Sequence, residues 1–224
     1  AHTPLILNSE GKKLSKRDGV TSISEFKEMG YTSEAMANYM TLLGWSVPEG
    51  TNERFKISEI SQVFSFEKVN KASAKFDWDK LNWLNSQVIH EMSPKVLLSN
   101  LEPLFKKNGW ELPDQEWGRD LVELIGPSMV LINDGVDQAK PFFDEPTLES
   151  DGKKQLEIEQ AKKVLKFIHE NLEQYDSSFI NKKQALDLVN KATTALEVKK
   201  GLVMKTLRAS LFGTMNGPDL IESW

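Results

Sequence analysis

Cysteine is missing from all 224 residues. That absence rules out disulfides and thiolate-held zinc, and it suits a reducing compartment. Histidine is scarce as well: His2, His90 and His169 are the whole set, and their spacing fits no metal-ligand pattern. No apolar run approaches the roughly 18 residues that a membrane span needs. The first residues carry no signal-peptide core. There are no internal repeats, no low-complexity tract, and no Ser-His-Asp order or paired carboxylates of the kind used in hydrolysis. A surplus of positive charge is also lacking. The net charge of −5 and the pI of about 5.4 exclude a nonspecific nucleic-acid coat.

What is present is the composition of an ordinary globular protein, with 39% apolar and 27% charged residues, enough for one large or two small domains. The six Trp and eleven Phe read as core rather than as base-stacking platforms. Charge is unevenly spread. Glu111 to Glu159 holds thirteen acids and four cations, whereas Lys182 to Arg208 holds seven cations and two acids. Local basic zones of this kind can still face a polyanion.

Apolar periodicity predicts a mostly helical chain. In "SEAMANYMTLLGW", Ala35, Met36, Tyr39, Met40 and Leu43 recur at helical spacing, with Ser33 as N-cap and Gly44 as stop. "SPKVLLSNLEPLF" opens on Ser93-Pro94 and is expected to bend or split at Pro103. "QEWGRDLVELIGP" runs from an Asp114 cap to a Gly126-Pro127 stop. Lys154 to Tyr175 carries one stripe of Ala161, Val164, Leu165, Ile168 and Leu172. A further helix is expected over about 182–196. "TPLILN" and "RFKIS" are the only strand candidates. Residues 144–153, "DEPTLESDGK", read as a linker, with a weaker junction near His90–Ser93.

One stretch is more than a solvated charge run. "NSEGKKLSKRDG" sets Lys12, Lys13, Lys16 and Arg17 between Gly11 and Gly19, with Ser15 among them. A flexible loop with ammonium groups can close over a triphosphate and neutralise charge developing on pyrophosphate. A hydroxyl and backbone N–H groups can add hydrogen bonds. A plain surface loop or a localisation-like basic patch would read the same way on chemistry alone.

The segment "LNSEGKKLSKRDG" resembles the second signature, the KMSKS-type loop, of class I aminoacyl-tRNA synthetases, in the KLSKR form of the glutamyl-tRNA synthetases. "SISEFKEMGYTSEAMANYMTLLGWS", "FDWDKLNWLNSQVI" and "KTLRASLFGTMNGPDL" continue the resemblance through nearly the whole chain in the family's order. The chain therefore resembles the C-terminal half of a bacterial-type, cyanobacterial or plastid-like, glutamyl-tRNA synthetase. The family's HIGH motif is not in this sequence, and Ala1 is not a natural start. A piece of a longer enzyme, inactive by itself, is therefore expected.

The resemblance implies a mainly α fold, with a small α+β stem-contact region followed by an all-helical anticodon-binding cage. It divides the chain into residues 1–92 (signature loop and stem contact), 93–148 (first anticodon subdomain) and 149–224 (second, incomplete at its C-terminal end). Lys13 and Lys16 would contact the phosphates of ATP, supplied with Mg2+, and Ser15 would support the loop. Lys16 is expected to make the main transition-state contact; no metal site is expected within the chain itself. Arg208 and the turn of Gly217, Pro218 and Leu220 would meet anticodon bases. Met36, Tyr39, Leu43 and Trp83 are expected to be core.

Gly126 stands where discriminating members carry the arginine that tells the glutamate tRNA from the glutamine tRNA. The resemblance thus implies a non-discriminating enzyme, unless Gly126 only ends a helix before Pro127. The implied partners are glutamate tRNA, glutamine tRNA, ATP and L-glutamate, for a monomer in the cytoplasm, or in the plastid stroma of a plant, with no membrane contact. The rival readings are a stand-alone helical RNA-binding module without catalysis and a helical protein-interaction scaffold.

Overall fold

The computed structural model describes residues 4–15, 22–173 and 180–224. Among these, twelve α-helices account for nearly all regular structure. β-pairing is limited to three isolated bridges: Leu7 with Lys13, Leu7 with Lys75, and Trp45 with Val69. The mainly α expectation holds. "TPLILN" contributes only the Leu7 bridges. "RFKIS" is no strand, since a short helix, α3 (Ile57–Ile60), begins inside it. The chain divides into two compact units, Ala1–Asp137 and Gln138–Trp224.

In the first unit, α1 (Ile23–Met29) opens with a capping box between Ser22 and Glu25 and closes at Gly30, whose φ of 98° is left-handed. α2 (Ser33–Leu42) is capped by the Thr32 hydroxyl, one residue before the expected Ser33, because Thr32 is the last residue with extended backbone. α4 (Trp78–His90) is capped by Asp77. These elements enclose an aromatic core of Phe26, Tyr31, Tyr39 and Phe76 with Leu81 and Leu84. The Tyr39 and Phe76 rings meet edge-on at 5.0 Å, the geometry that aromatic quadrupoles favour. Of the expected core residues, Met36 and Tyr39 are buried and Leu43 is partly so. Trp83, however, is 44% exposed, because it lies on the face of α4 away from Leu81 and Leu84.

α5 (Pro94–Lys107) and α6 (Gln115–Ile125) follow, packed on each other. Pro103 does not split α5. It sits on the exposed face, so the carbonyl of Ser99 that loses its partner is also on the solvent side. α6 runs from its Asp114 cap to Ile125, as its sequence predicts. α7 (Asp134–Ala139) carries the chain onward.

In the second unit the long helix expected from Lys154 is two helices, α8 (Ser150–Leu156) and α9 (Glu159–Leu172), parted at Glu157-Ile158. Four residues of the expected linker, 150–153, are therefore helical. Tyr175 lies outside the described residues. α10 (Lys182–Ala195), α11 (Lys200–Phe212) and the short α12 (Leu220–Ser223) complete the unit. Val164, Ile168, Leu188, Val189, Val203 and Leu207 form its aliphatic core. α8 crosses α11 closely because both carry glycine at the crossing. A Cβ on Gly152 would stand 2.1 Å from the Gly213 carbonyl oxygen, and one on Gly213 would stand 2.2 Å from the Thr147 oxygen.

Candidate functional site

The lysine-rich segment begins as a tight hairpin. Asn8 and Leu14 donate their backbone N–H groups to the carbonyls of Lys12 and Ile6, and the Asn8 side chain accepts from Lys12 N–H at 2.9 Å. Gly11, at φ 79°, makes the reversal. Leu7 lies between this return strand and residues 74–76, bonded to the Ala74 carbonyl and to the Phe76 N–H. Side chains alternate along an extended segment. Leu14 accordingly packs on the aromatic core while its neighbours Lys13 and Ser15 are exposed. Lys12 is paired with Glu10 at 2.8 Å on the surface, so part of the charge seen in the sequence is offset locally. Lys16, Arg17 and Gly19 lie outside the described residues. Lys13 is thus the described ammonium presented on an anchored hairpin.

Gly126 opens a 3-10 turn, Gly126–Ser128, at the end of α6. Its φ of −51° is ordinary, so the turn does not require glycine. It lines a cavity of about 220 Å³ with His90, Met92, Leu97 and Pro127. A Cβ at this position would meet the Leu97 Cδ2 atom at 2.9 Å, the mobile end of a side chain that can turn aside. The site therefore tolerates a larger residue at a small packing cost.

In the second unit two expected residues come together, Arg208 of α11 and Gly217 of the turn beyond it. The Arg208 guanidinium lies over the Phe212 ring, 5.7 Å from its centre, one helical turn on. Gly217, at φ 128°, approaches the same pair: a Cβ there would be 3.4 Å from an Arg208 Nη atom and 3.6 Å from Phe212. Pro218 follows, half-buried. Leu220 departs from expectation. It is only 1% exposed, packed in the aliphatic core, so its side chain offers no surface to a base and supports the turn from beneath.

Two contributors were not legible as site residues. Phe212 looks like any apolar helix position. Asp151, in the stretch read as linker, accepts from the Met215 N–H at 3.1 Å and from the Thr214 hydroxyl at 3.4 Å, fixing the loop after Gly213. The hydrogen bond from Met215 N–H, then that from Gly152 N–H, hold its carboxyl below the usual range. A surface pair, Lys182 with Glu222, ties α10 to α12, and the hydrogen bond that Lys182 donates to Glu222 raises the Lys182 pKa.

His90 Nε2 lies 3.1 Å from the Met129 carbonyl, and His169 is a surface residue near Glu173. His2 lies outside the described residues. Among the described residues no group of His, Asp or Glu could hold a metal ion, and no helix is long and apolar enough to cross a membrane.

An anchored lysine hairpin followed by helical units with an arginine-bearing turn is the frame of this chain, and comparison with known proteins gives it a family. Residues 91–224 match the family described as anticodon binding domain, and residues 1–83 match tRNA synthetases class I (E and Q), catalytic domain. The chain belongs to the anticodon binding domain family, here joined to class I synthetase sequence.

The relatives it matches are glutamate–tRNA ligases. Over all 224 residues it is 79% identical to the glutamate–tRNA ligase of Prochlorococcus marinus strain NATL2A and 60% identical to that of Synechococcus sp. strain CC9311. A crystal structure of a glutamate tRNA ligase from Elizabethkingia meningosepticum matches all of this chain at 28% identity with a TM-score of 0.87. The chain spans about half the length of these relatives, 47% in each case. The resemblance carried by the KLSKR loop and its flanking segments is borne out.

Proposed function

We propose that the chain is the tRNA-handling portion of a glutamate–tRNA ligase that joins L-glutamate to tRNA at the expense of ATP. The observation that carries this reading is the exposed Lys13, held on a hairpin whose Leu14 is anchored in the core. An ammonium group so placed, with Lys16 two residues beyond Leu14, can neutralise charge developing on pyrophosphate. Ser15 supports the loop. ATP enters as its magnesium complex, the ion held through the phosphates. Residues 1–92 contact the stem, and 93–148 and 149–224 form the two parts of the anticodon cage. The longer protein works as a monomer in the cytoplasm, or in the stroma if the source is a plant. This chain alone is inactive, because the reacting groups must be placed by both lobes of the active site to within about an ångström.

Single-stranded RNA is read by unstacked bases entering protein pockets. Arg208, resting on the buried Phe212 ring beside Gly217 and Pro218, offers a cation and backbone groups for that purpose. At Gly126 no side chain is available to reject the last anticodon base of the glutamine tRNA. The ligase is therefore non-discriminating and charges both tRNAs with glutamate.

The test is aminoacylation of glutamate and glutamine tRNAs by the full-length protein, with and without Gly126→Arg. The unaltered enzyme is expected to charge both, and the arginine variant to lose the glutamine tRNA by about tenfold or more in kcat/KM. If the unaltered enzyme refuses glutamine tRNA, the specificity assignment is wrong. If it consumes no ATP with glutamate and tRNA, the whole reading is.

A further inference from the structure

Three backbone segments of the first unit form a small ribbon around Leu7. Leu14 N–H donates to the Ile6 carbonyl at 3.0 Å and Asn8 N–H to the Lys12 carbonyl at 2.8 Å. Leu7 and Lys13 are thereby a directly opposed antiparallel pair. On its other edge Leu7 N–H donates to the Ala74 carbonyl at 2.9 Å, and Phe76 N–H donates to the Leu7 carbonyl at 2.8 Å. This parallel bridge sets Leu7 opposite Lys75.

The ribbon has two faces. Opposed residues share a face, and neighbours along a strand alternate. Ile6, Leu14 and Phe76 point inward and pack in the aromatic core. Leu7, Lys13 and Lys75 therefore point outward in one row, the two lysines exposed and Leu7 half-buried between them. The two pairings together set the lysine Cα atoms about 9–10 Å apart.

The charge of this row is not offset. Lys12 is paired with Glu10, but neither Lys13 nor Lys75 joins an ion pair among the described residues. The excess continues beyond Lys75. From Lys68 to Phe76 the chain has three lysines and no acid, and Lys68 and Lys71 are exposed and outside any described ion pair as well. Packing does not call for a cation at position 75, since the core is filled from the opposite face. Cations on one face repel each other, so an anion laid across the row gains from all of them.

The spacing selects the kind of anion. A triphosphate carries its charges contiguously, whereas Lys13 and Lys75 stand apart with an apolar side chain between them. The row thus offers two phosphate positions rather than one. The position at Lys75 opens onto the further cations of residues 68–75, which suits a strand of phosphates spaced by sugars.

We propose that Lys75 is a binding residue for the RNA backbone, holding a phosphodiester of the tRNA strand beside the ATP phosphates met by Lys13, with Leu7 as the apolar divider. The inference rests on the functional reading above and adds a contact on the ribbon edge.

The experiment titrates the full-length ligase with glutamate tRNA at several salt concentrations and measures KM for ATP in charging. Lys75→Met keeps the aliphatic stem and removes the charge. It is expected to weaken tRNA binding about fivefold and to lower the slope of log affinity against log salt by about 0.7–0.9, the loss of one phosphate contact. KM for ATP should stay within about twofold. Lys75→Arg should keep the slope of the unaltered enzyme. Lys12→Met removes the same net charge from a lysine already paired with Glu10, and should change the slope by less than half as much.

An unchanged slope in Lys75→Met overturns the contact. An equal change in Lys12→Met overturns it too, because the effect would then belong to net charge and not to the row. A raised KM for ATP with tRNA affinity unchanged overturns the assignment to RNA. If the unaltered enzyme binds no tRNA, the functional reading beneath the inference fails instead.

Discussion

Around Tyr39 the first unit buries aromatic rings together with hydrogen-bonded amides, Asn38 and Asn85. Around Leu188 the second unit buries aliphatic side chains and alanines between helices, with Thr206 as its buried polar residue among those described. The difference follows from how each is assembled. Helices of 13 and 14 residues supply long apolar stripes that close on each other, and close crossings need only small residues. Around Tyr39 only α4 is that long, and α1, α2, a hairpin and loops cannot cover one another that way. Large rings fill the irregular space, and polar side chains take up the backbone groups that no helix satisfies. The first unit is accordingly held by specific bonds, the second by fit.

The sharpest way to break the second unit is at its glycine crossing. Gly213→Ala combines a left-handed residue with a Cβ set against backbone, at 2.2 Å from the Thr147 oxygen. It should cost about 4 kcal/mol, read by urea unfolding and by lost protection of α11 amides in hydrogen exchange. The contrasting control is Gly11→Ala, equally left-handed but with nothing within 4 Å of its Cβ, expected to cost about 1 kcal/mol.

High pH should instead single out the first unit. Burial pushes the Tyr39 hydroxyl up to about 12, against the lowering effect of the bond it accepts from Asp77 N–H, while the Asp77 and Tyr31 charges raise it further. Tyr31 is raised too, by burial and by Asp134. Both groups are neutral in either state below pH 10. Above it the unfolded chain ionises first, so stability is intact below about 10 and falls as pH rises toward 12, by about 2 kcal/mol for Tyr39. Tyr39→Phe should flatten this slope in pH-dependent unfolding followed at α4. No described residue of the second unit is a tyrosine, so Tyr39→Phe should leave the pH response at α10 unchanged.

The smallest structural effect is expected at the candidate site. Lys13 is exposed, and its alanine variant should unfold within about 0.5 kcal/mol of wild type. The same change should lower ATP-dependent charging by the longer protein, so stability and function separate at this position.

α9 and α10 of the second unit were legible because burial there repeats every three to four residues. The break at Glu157-Ile158 was not, since Ala161 to Leu172 continues the stripe in phase and no breaker marks the gap. In the first unit Trp83 misled, because a tryptophan carries the same apolar signal whichever face of a helix it occupies. At the candidate site, the charge and spacing of Lys13 and Ser15 were readable from the chain. The pairing of Lys12 with Glu10 was not, nor was the burial of Leu220 beneath its turn.

Residue order alone determined the helical character, the capped start at Asp114, and the lysine loop that carries the family resemblance. These are local properties, set by periodicity and by groups within a few residues of each other. Tertiary structure decided that Arg208, Phe212 and Gly217 share one spot, that Gly152 must face Gly213, and that Asn85 joins Thr32 to Val130. Those relations span up to 61 residues between Gly152 and Gly213. They arise only when distant segments compete to satisfy the same buried space and the same backbone groups, and no local pattern records which segment prevails.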